Sequence, residues 1–227
     1  MMKDIYLILL FINIAYSLSI YIGSTGLLFP YSLGSLAYIK NISKNQQYNM
    51  IGVSGGSWCS LIYYVEKNLT DHDYLWDKYI GNERLNIFNR KCMENLQQNI
   101  SKNILNNDID FINLPVCFYT TNLKNLKLKN IKIDSFDSKN EMISIAKCSS
   151  YIPFLCGKKM FFRYNKSKYI DGVINHKVPE CDYSITTNRF SLREKLYVSS
   201  RLNKNISKIL FEKGWKDAEN RFAKLKK

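Results

Sequence analysis

The chain reads as an α/β fold, a three-layer sandwich around a mainly parallel sheet with helices appended at the C-terminus. Two observations carry that reading. An apolar run, a glycine-rich turn and a helical pattern follow one another twice between residues 18 and 65, and two such units imply parallel strands joined by right-handed crossovers. Further on, Phe111 to Thr120 forms an apolar, β-prone run of the kind found in buried strands. At 227 residues the chain fits one domain with a substantial core. It contains no internal repeat and no low-complexity linker, and only four prolines.

Taken in order, Leu18 to Ile22 predicts a first strand and Gly23-Ser24-Thr25-Gly26 the turn after it. Tyr31, Leu33, Leu36, Ala37 and Ile39 then recur at helical spacing and lead into a polar loop ending near Asn49. Tyr48 to Val53 predicts the second strand, and Trp58, Leu61, Ile62 and Val65 the helix behind it. Asp73 to Asn106 is mostly helical in pattern. Leu126 to Ser135 alternates lysine with apolar residues, which suits an exposed edge hairpin. Ser138 to Ser149 predicts a short helix, and Ser150 to Pro153 a turn. Lys158 to Ile170 reads as a hairpin around Asn165-Lys166-Ser167, and Cys181 to Thr187 as a last strand. Beyond it, apolar residues from Leu202 to Leu225 follow helical spacing, with Gly214 as an expected interruption.

Three segments result: a hydrophobic N-terminal segment over 1–17, a catalytic domain over 18–187, and a basic helical region over 188–227 packed on the same domain. The first runs from Ile5 to Tyr16 almost without charge and ends in Ala15-Tyr16-Ser17. It reads as a cleaved signal peptide, with an uncleaved anchor or one more buried element as alternatives. A signal would send the protein into the secretory pathway, where its six cysteines are free to pair; without one, the protein stays in the cytoplasm. Their spacing includes no Cys-x-x-Cys, so no zinc site is expected.

The formal net charge is +14, and twelve of the thirty-three basic residues lie between Asn188 and Lys227 against four acidic ones. Such a patch attracts anionic surfaces, although a solvated helix face has the same composition. Nucleic acid is not an expected partner, because there is no zinc-finger spacing, no RNP-like strand and no phosphate-binding Gly-Lys-Ser loop.

The chemistry concentrates at Gly52-Val53-Ser54-Gly55-Gly56. A serine between glycines, where a strand meets a helix, fits a nucleophile elbow; the same residues also fit a turn with a capping serine. Ser54 needs a base within hydrogen-bond reach. His176 stands only five residues beyond Asp171, too near for the usual placement of acid and histidine on separate loops, and His72 reads as a solvated turn residue between Asp71 and Asp73. Asp171 follows Tyr169-Ile170 and precedes Gly172. It is therefore a strand-end carboxylate, or else part of an ordinary Asp-Gly turn.

The turn at Gly23 to Gly26, the Gly52 to Gly56 motif, Ser149-Ser150-Tyr151-Ile152-Pro153 and Tyr169-Ile170-Asp171-Gly172 together resemble the patatin-like phospholipase family in order and approximate spacing, over roughly Leu18 to Thr187. Phe211 to Ala218 looks like the region after the core in animal-type members, and Ser54-Gly55-Gly56-Ser57-Trp58 resembles the related cytosolic phospholipase A2 and phospholipase B enzymes. The resemblance implies a Ser54–Asp171 dyad acting on lipid acyl esters through an acyl-serine intermediate, without metal or organic cofactor, at a membrane or micelle surface. It also implies an oxyanion hole built from Gly23, Ser24, Thr25, Gly26 and Gly55, with Gly52, Gly56 and Gly172 in support. Of the family's loop glycines this chain has Gly26 and Gly34. Ser24 and Phe29 stand where others are usual and Val173 follows Asp-Gly, so the resemblance also fits a catalytically impaired protein that binds lipid or membrane surfaces. Tyr151, Ile152, Pro153, Phe154 and Leu155 are the expected lining of an acyl channel, or else core packing.

Overall fold

A computed structural model describes residues 17–225 except 44, 45, 82, 83, 112 and 126. The expected signal segment thus lies, but for Ser17, outside the described residues. Among the described residues are seven strands and seven α-helices. The strands are β1 (Ser19–Ile22), β2 (Asn49–Val53), β3 (Val116–Lys124), β4 (Lys127–Ile133), β5 (Phe162–Tyr164), β6 (Ser167–Ile170) and β7 (Tyr183–Ile185). The helices are α1 (Phe29–Ile42), α2 (Gly55–Val65), α3 (His72–Tyr79), α4 (Arg90–Leu105), α5 (Lys139–Ser149), α6 (Leu192–Arg201) and α7 (Lys204–Phe222).

All seven strands join one sheet. β7, β1, β2 and β3 pair in parallel, as two successive strand–helix units require. β4, β5 and β6 pair antiparallel, so the sheet is mixed and not mainly parallel. The reason is local: β3–β4 and β5–β6 are tight hairpins, and a hairpin can only return antiparallel. The architecture is α/β and compatible with a three-layer sandwich.

β3 organises the sheet. β2 and β4 both pair with it at Phe118 and Tyr119, so they occupy opposite edges. At Thr121 to Leu123 the partners are β4 and β6, so β6 shares β2's edge. β2 runs along that edge to Val53 opposite Tyr119, and β6 runs the other way to Ile170 opposite Thr121. Two strands therefore meet head-on, and the residues that follow them, Ser54 and Asp171, both arrive at Thr120.

One face of the sheet carries Ile20, Ile22, Met50, Val116 and Phe118, all in the apolar core shared with the helices. The other carries Tyr21 and Tyr119, which pack against His176. Asn113 and Pro115 end the apolar run that was expected to be extended from Phe111: the strand begins at Val116, where a proline without an N–H no longer interrupts the ladder. α7 is one continuous helix through Gly214, against the expected break. Here the glycine lets two backbones touch. A Cβ at Gly34 in α1 would lie 1.9 Å from the Phe211 carbonyl oxygen, and one at Gly214 would lie 1.9 Å from that of Tyr31. Ser35 Oγ ties the crossing by donating to the Gly214 carbonyl at 2.9 Å. All six cysteines are free thiols.

Candidate active site

The first turn of α2 exposes a chain reversal that few residues tolerate. Ser54, at the junction of β2 and α2, has φ 56° and ψ −127°, a left-handed conformation that costs a non-glycine residue on the order of 1–3 kcal/mol. That geometry lifts the side chain clear of both flanking elements. It is possible because Gly52 backs onto Ser57 and Gly56 onto the Ile22 and Gly23 carbonyls, contacts that leave no room for a Cβ.

Ser54 Oγ donates to Asp171 Oδ2 at 2.6 Å, across 117 residues of sequence. Both side chains are buried. The other carboxylate oxygen accepts the Val173 amide at 2.9 Å, so the Asp171 side chain is held at both ends. Its backbone is fixed as well: Asp171 N–H donates to the Tyr151 carbonyl and Gly172 N–H to that of Ser149, each at 2.8 Å. Gly172 must lack a side chain because a Cβ would meet the Tyr119 carbonyl at 2.0 Å. Burial pushes the Asp171 carboxyl up to about 6, against the opposing pull of the Ser54 and Val173 hydrogen bonds. A base of that strength is ionised at neutral pH yet is appreciably more basic than an exposed aspartate.

Two backbone amides sit on one side of this pair. Gly55 begins α2 and Gly26 begins a short 3-10 turn, so neither amide has an intrahelical acceptor. The two turns touch: a Cβ on Gly55 would lie 2.4 Å from Thr25 Oγ1 and 3.2 Å from the Gly26 nitrogen. Gly26 itself has φ +49°, the left-handed turn that glycine favours. Gly23 does not belong to the expected donor set, because its N–H donates to the Ile185 carbonyl at 2.9 Å as a continuation of the β1–β7 ladder. Ser24 turns its carbonyl to Thr187 Oγ1, 3.2 Å away, and Thr25 its carbonyl to Leu28 N–H. Those contacts leave the amides of both residues uncommitted, and of the five expected donors Gly26 and Gly55 line the cleft beside Ser54.

Neither histidine joins the dyad. His176 Nδ1 lies 3.2 Å from Asn130 Oδ1, and Nε2 is buried without a partner. His72, expected in solvent, is buried instead, with Nε2 2.8 Å from Ser207 Oγ and its ring packed on Phe211.

Ser54 opens on a narrow, apolar-lined cleft. α2 supplies Trp58, Cys59 and Ile62 to its wall, α4 supplies Met93, Leu96, Gln97 and Ile100, and Gly26, Leu27, Phe29 and Gly55 close it beside Ser54. Of the expected lining from 151 to 155 only Ile152 takes part; Phe154 faces solvent, and Tyr151 is buried with its hydroxyl on the Lys159 carbonyl. Sequence periodicity marks α4 as helical but does not reveal what its apolar face covers.

Two serines of the 149–153 turn organise the site from behind, a role the sequence pattern did not single out. Ser149 Oγ accepts from the Ser54 amide and the Ser57 hydroxyl, both at 2.9 Å, and donates to the Tyr119 carbonyl at 2.6 Å. Ser150 Oγ accepts from Trp58 Nε1 at 2.8 Å and donates to the Ala146 carbonyl at 2.9 Å. Ser149 thus binds the nucleophile's backbone to β3. Ser149→Ala is expected to strand three buried polar groups and to cost about 2–4 kcal/mol. Urea unfolding measures it; an unchanged midpoint would dismiss the anchoring role.

No protein-family model matches this chain, and no curated protein matches it either.

Proposed function

We propose that this protein is a serine-dependent acyl hydrolase acting on lipid esters, of the phospholipase A or lysophospholipase type and of patatin-like architecture. The observation that carries the reading is the 2.6 Å hydrogen bond from a strained, buried serine to a buried carboxylate at the end of an apolar cleft. The cleft suits an acyl chain and offers few polar groups to any more hydrophilic substrate.

In this reading the acyl chain enters the cleft and its carbonyl carbon lies over Ser54 Oγ. Asp171 takes the hydroxyl proton as the Oγ–C bond forms, and the carbonyl oxygen becomes an oxyanion facing the Gly26 and Gly55 amides. Collapse of this intermediate breaks the ester bond. Asp171 passes its proton to the departing alcohol, and the acyl group remains on Ser54. Water then attacks, Asp171 again accepts the proton, and the fatty acid leaves with Ser54 restored. No step calls for a metal or an organic cofactor.

One observation favours a second reading, a lipid- or membrane-surface-binding protein with impaired catalysis. Gly23, an expected oxyanion donor, is spent on the sheet, and one missing donor costs about 10² to 10³ in rate. A fluorophosphonate probe separates the two. The acyl-hydrolase reading expects covalent labelling of Ser54, mapped by mass spectrometry and lost in Ser54→Ala. Folded protein that stays unlabelled under prolonged exposure would leave only the binding reading.

A further inference from the structure

Helix α6 is inside out. Of its ten residues only Val198 is buried, while Leu192 is 73% exposed, Leu196 51% and Tyr197 52%. Leu192 and Leu196 stand four apart and so share one stripe, with Arg193 and Lys195 on its two sides. Packing does not account for this helix: its apolar side faces solvent, although the capping box of Ser191 and Glu194 secures its start.

The helix stands beside the cleft. It packs on the 3-10 turn Gly26–Leu28, whose Gly26 and Leu27 line the cleft wall. Its C-terminal half holds the loop before α4 through Ile87 N–H to the Ser199 carbonyl and Leu85 N–H to the Leu202 carbonyl, both 2.8 Å. Ile87 lines the cleft, and the next residue, Phe88, is 63% exposed. A third segment repeats the pattern. Phe154, between the cleft residues Ile152 and Cys156, is 57% exposed at φ +63°, a conformation costly for a bulky residue and one that core packing does not require.

Five large apolar side chains on three separate segments that adjoin one apolar cleft are therefore each more than half exposed. Exposed Lys158 and Lys159 follow Phe154, and exposed Arg193 adjoins Leu192. Glu194, the acidic residue of α6, is tied into its own cap. We infer that this face docks on a lipid surface carrying anionic head groups, with the apolar side chains in the acyl layer and the cations among the phosphates, so that the cleft opens onto its substrate. A second copy of the chain fits the face less well, since it would set these cations against one another. The physiological sense of the inference rests on the acyl-hydrolase reading, but the docking is measured without hydrolysis.

The experiment uses the full chain carrying Ser54→Ala and sedimentation with vesicles of phosphatidylcholine, with and without phosphatidylglycerol. Binding is expected to be stronger to the anionic vesicles and to weaken with salt. Leu196→Asp and Phe88→Asp are each expected to lower partitioning at least about tenfold, and Arg193→Glu about fivefold at low salt. Leu192→Gln, at the most exposed of these positions, gives a milder loss in a protein whose circular dichroism is unchanged. Three results would overturn the inference: no vesicle binding, wild-type binding by a folded triple variant at Phe88, Phe154 and Leu196, or a dimer in light scattering that those substitutions dissolve. Docking without Ser54 labelling in the unsubstituted protein removes the acyl-hydrolase reading alone, and labelling without docking removes this inference alone.

Discussion

Exchanging Asp171 for asparagine is expected to silence ester hydrolysis and to stabilise the fold at neutral pH. The loss follows from removing the base, and a fall of about 10² to 10⁴ in kcat is expected. The gain follows from burial. The carboxyl is raised from 3.8 to about 6 because its charged form is poorly solvated in the site. A folded pKa above the unfolded one means that the fold holds its proton more tightly, so stability is fullest below about pH 4 and declines as pH rises through about 6. A shift of about two units corresponds to about 3 kcal/mol. Asparagine never ionises. Its carbonyl oxygen still accepts the Val173 amide, and its amino group reaches Ser54 Oγ as a donor. Melting curves of the two proteins are therefore expected to coincide near pH 4 and to separate above pH 7, with the variant higher. The unsubstituted protein's hydrolysis rate is expected to rise through about pH 6 as the same carboxyl ionises. An asparagine variant no more stable at pH 8 than its parent would refute the strained-base account.

Gly34→Ala is expected to produce a large loss of stability from one added methyl. Its Cβ would sit 1.9 Å from the Phe211 carbonyl oxygen, well inside contact distance, and that oxygen is backbone that no rotamer change moves aside. α1 and α7 would have to part along the crossing that Tyr38 and Trp215 also line. Overpacking of this kind costs about 3 kcal/mol or more, or about 6 to 12 °C in melting temperature for a chain of this size. Gly214→Ala meets the mirror contact with Tyr31, so the double variant is expected to lose less than the sum of the two, because helices already parted have little more to lose. Strictly additive losses in urea titrations would mean that the two glycines do not share one contact.

These two positions show how unevenly the sequence reveals the structure. The elbow was legible because a glycine-flanked serine at a strand–helix junction is a local pattern with a local cause. Asp171 was legible as a strand end, and its partnership with Ser54 came from the resemblance. The placement of β6 was not legible: both hairpins could be expected from local pattern, but alternation marks a strand and not the edge it joins, so their antiparallel share of a common sheet went unread. Gly34 was grouped with loop glycines, yet it belongs to a helix crossing whose other half lies 180 residues away (214 − 34 = 180). The commitment of the Gly23 amide depended on where β7 came to rest, and Ser149 on a partner 95 residues earlier. Each of these turns on a distant neighbour, which no window of sequence contains.

The head-on arrival of β2 and β6 along one edge of β3 makes a single strand the ruler of the gap between Ser54 and Asp171. Segment 66–115 carries neither member of the pair nor a group bonded to one, so it can lengthen, shrink or be rebuilt without changing the gap between hydroxyl and carboxylate. An extra residue between Phe118 and Leu123 would push the two strand ends apart and turn one of them to the opposite side. On the proposed acyl-hydrolase reading, the serine–carboxylate spacing is thus insulated from much of the cleft wall, and a lineage can vary what it digests while leaving that pair in register.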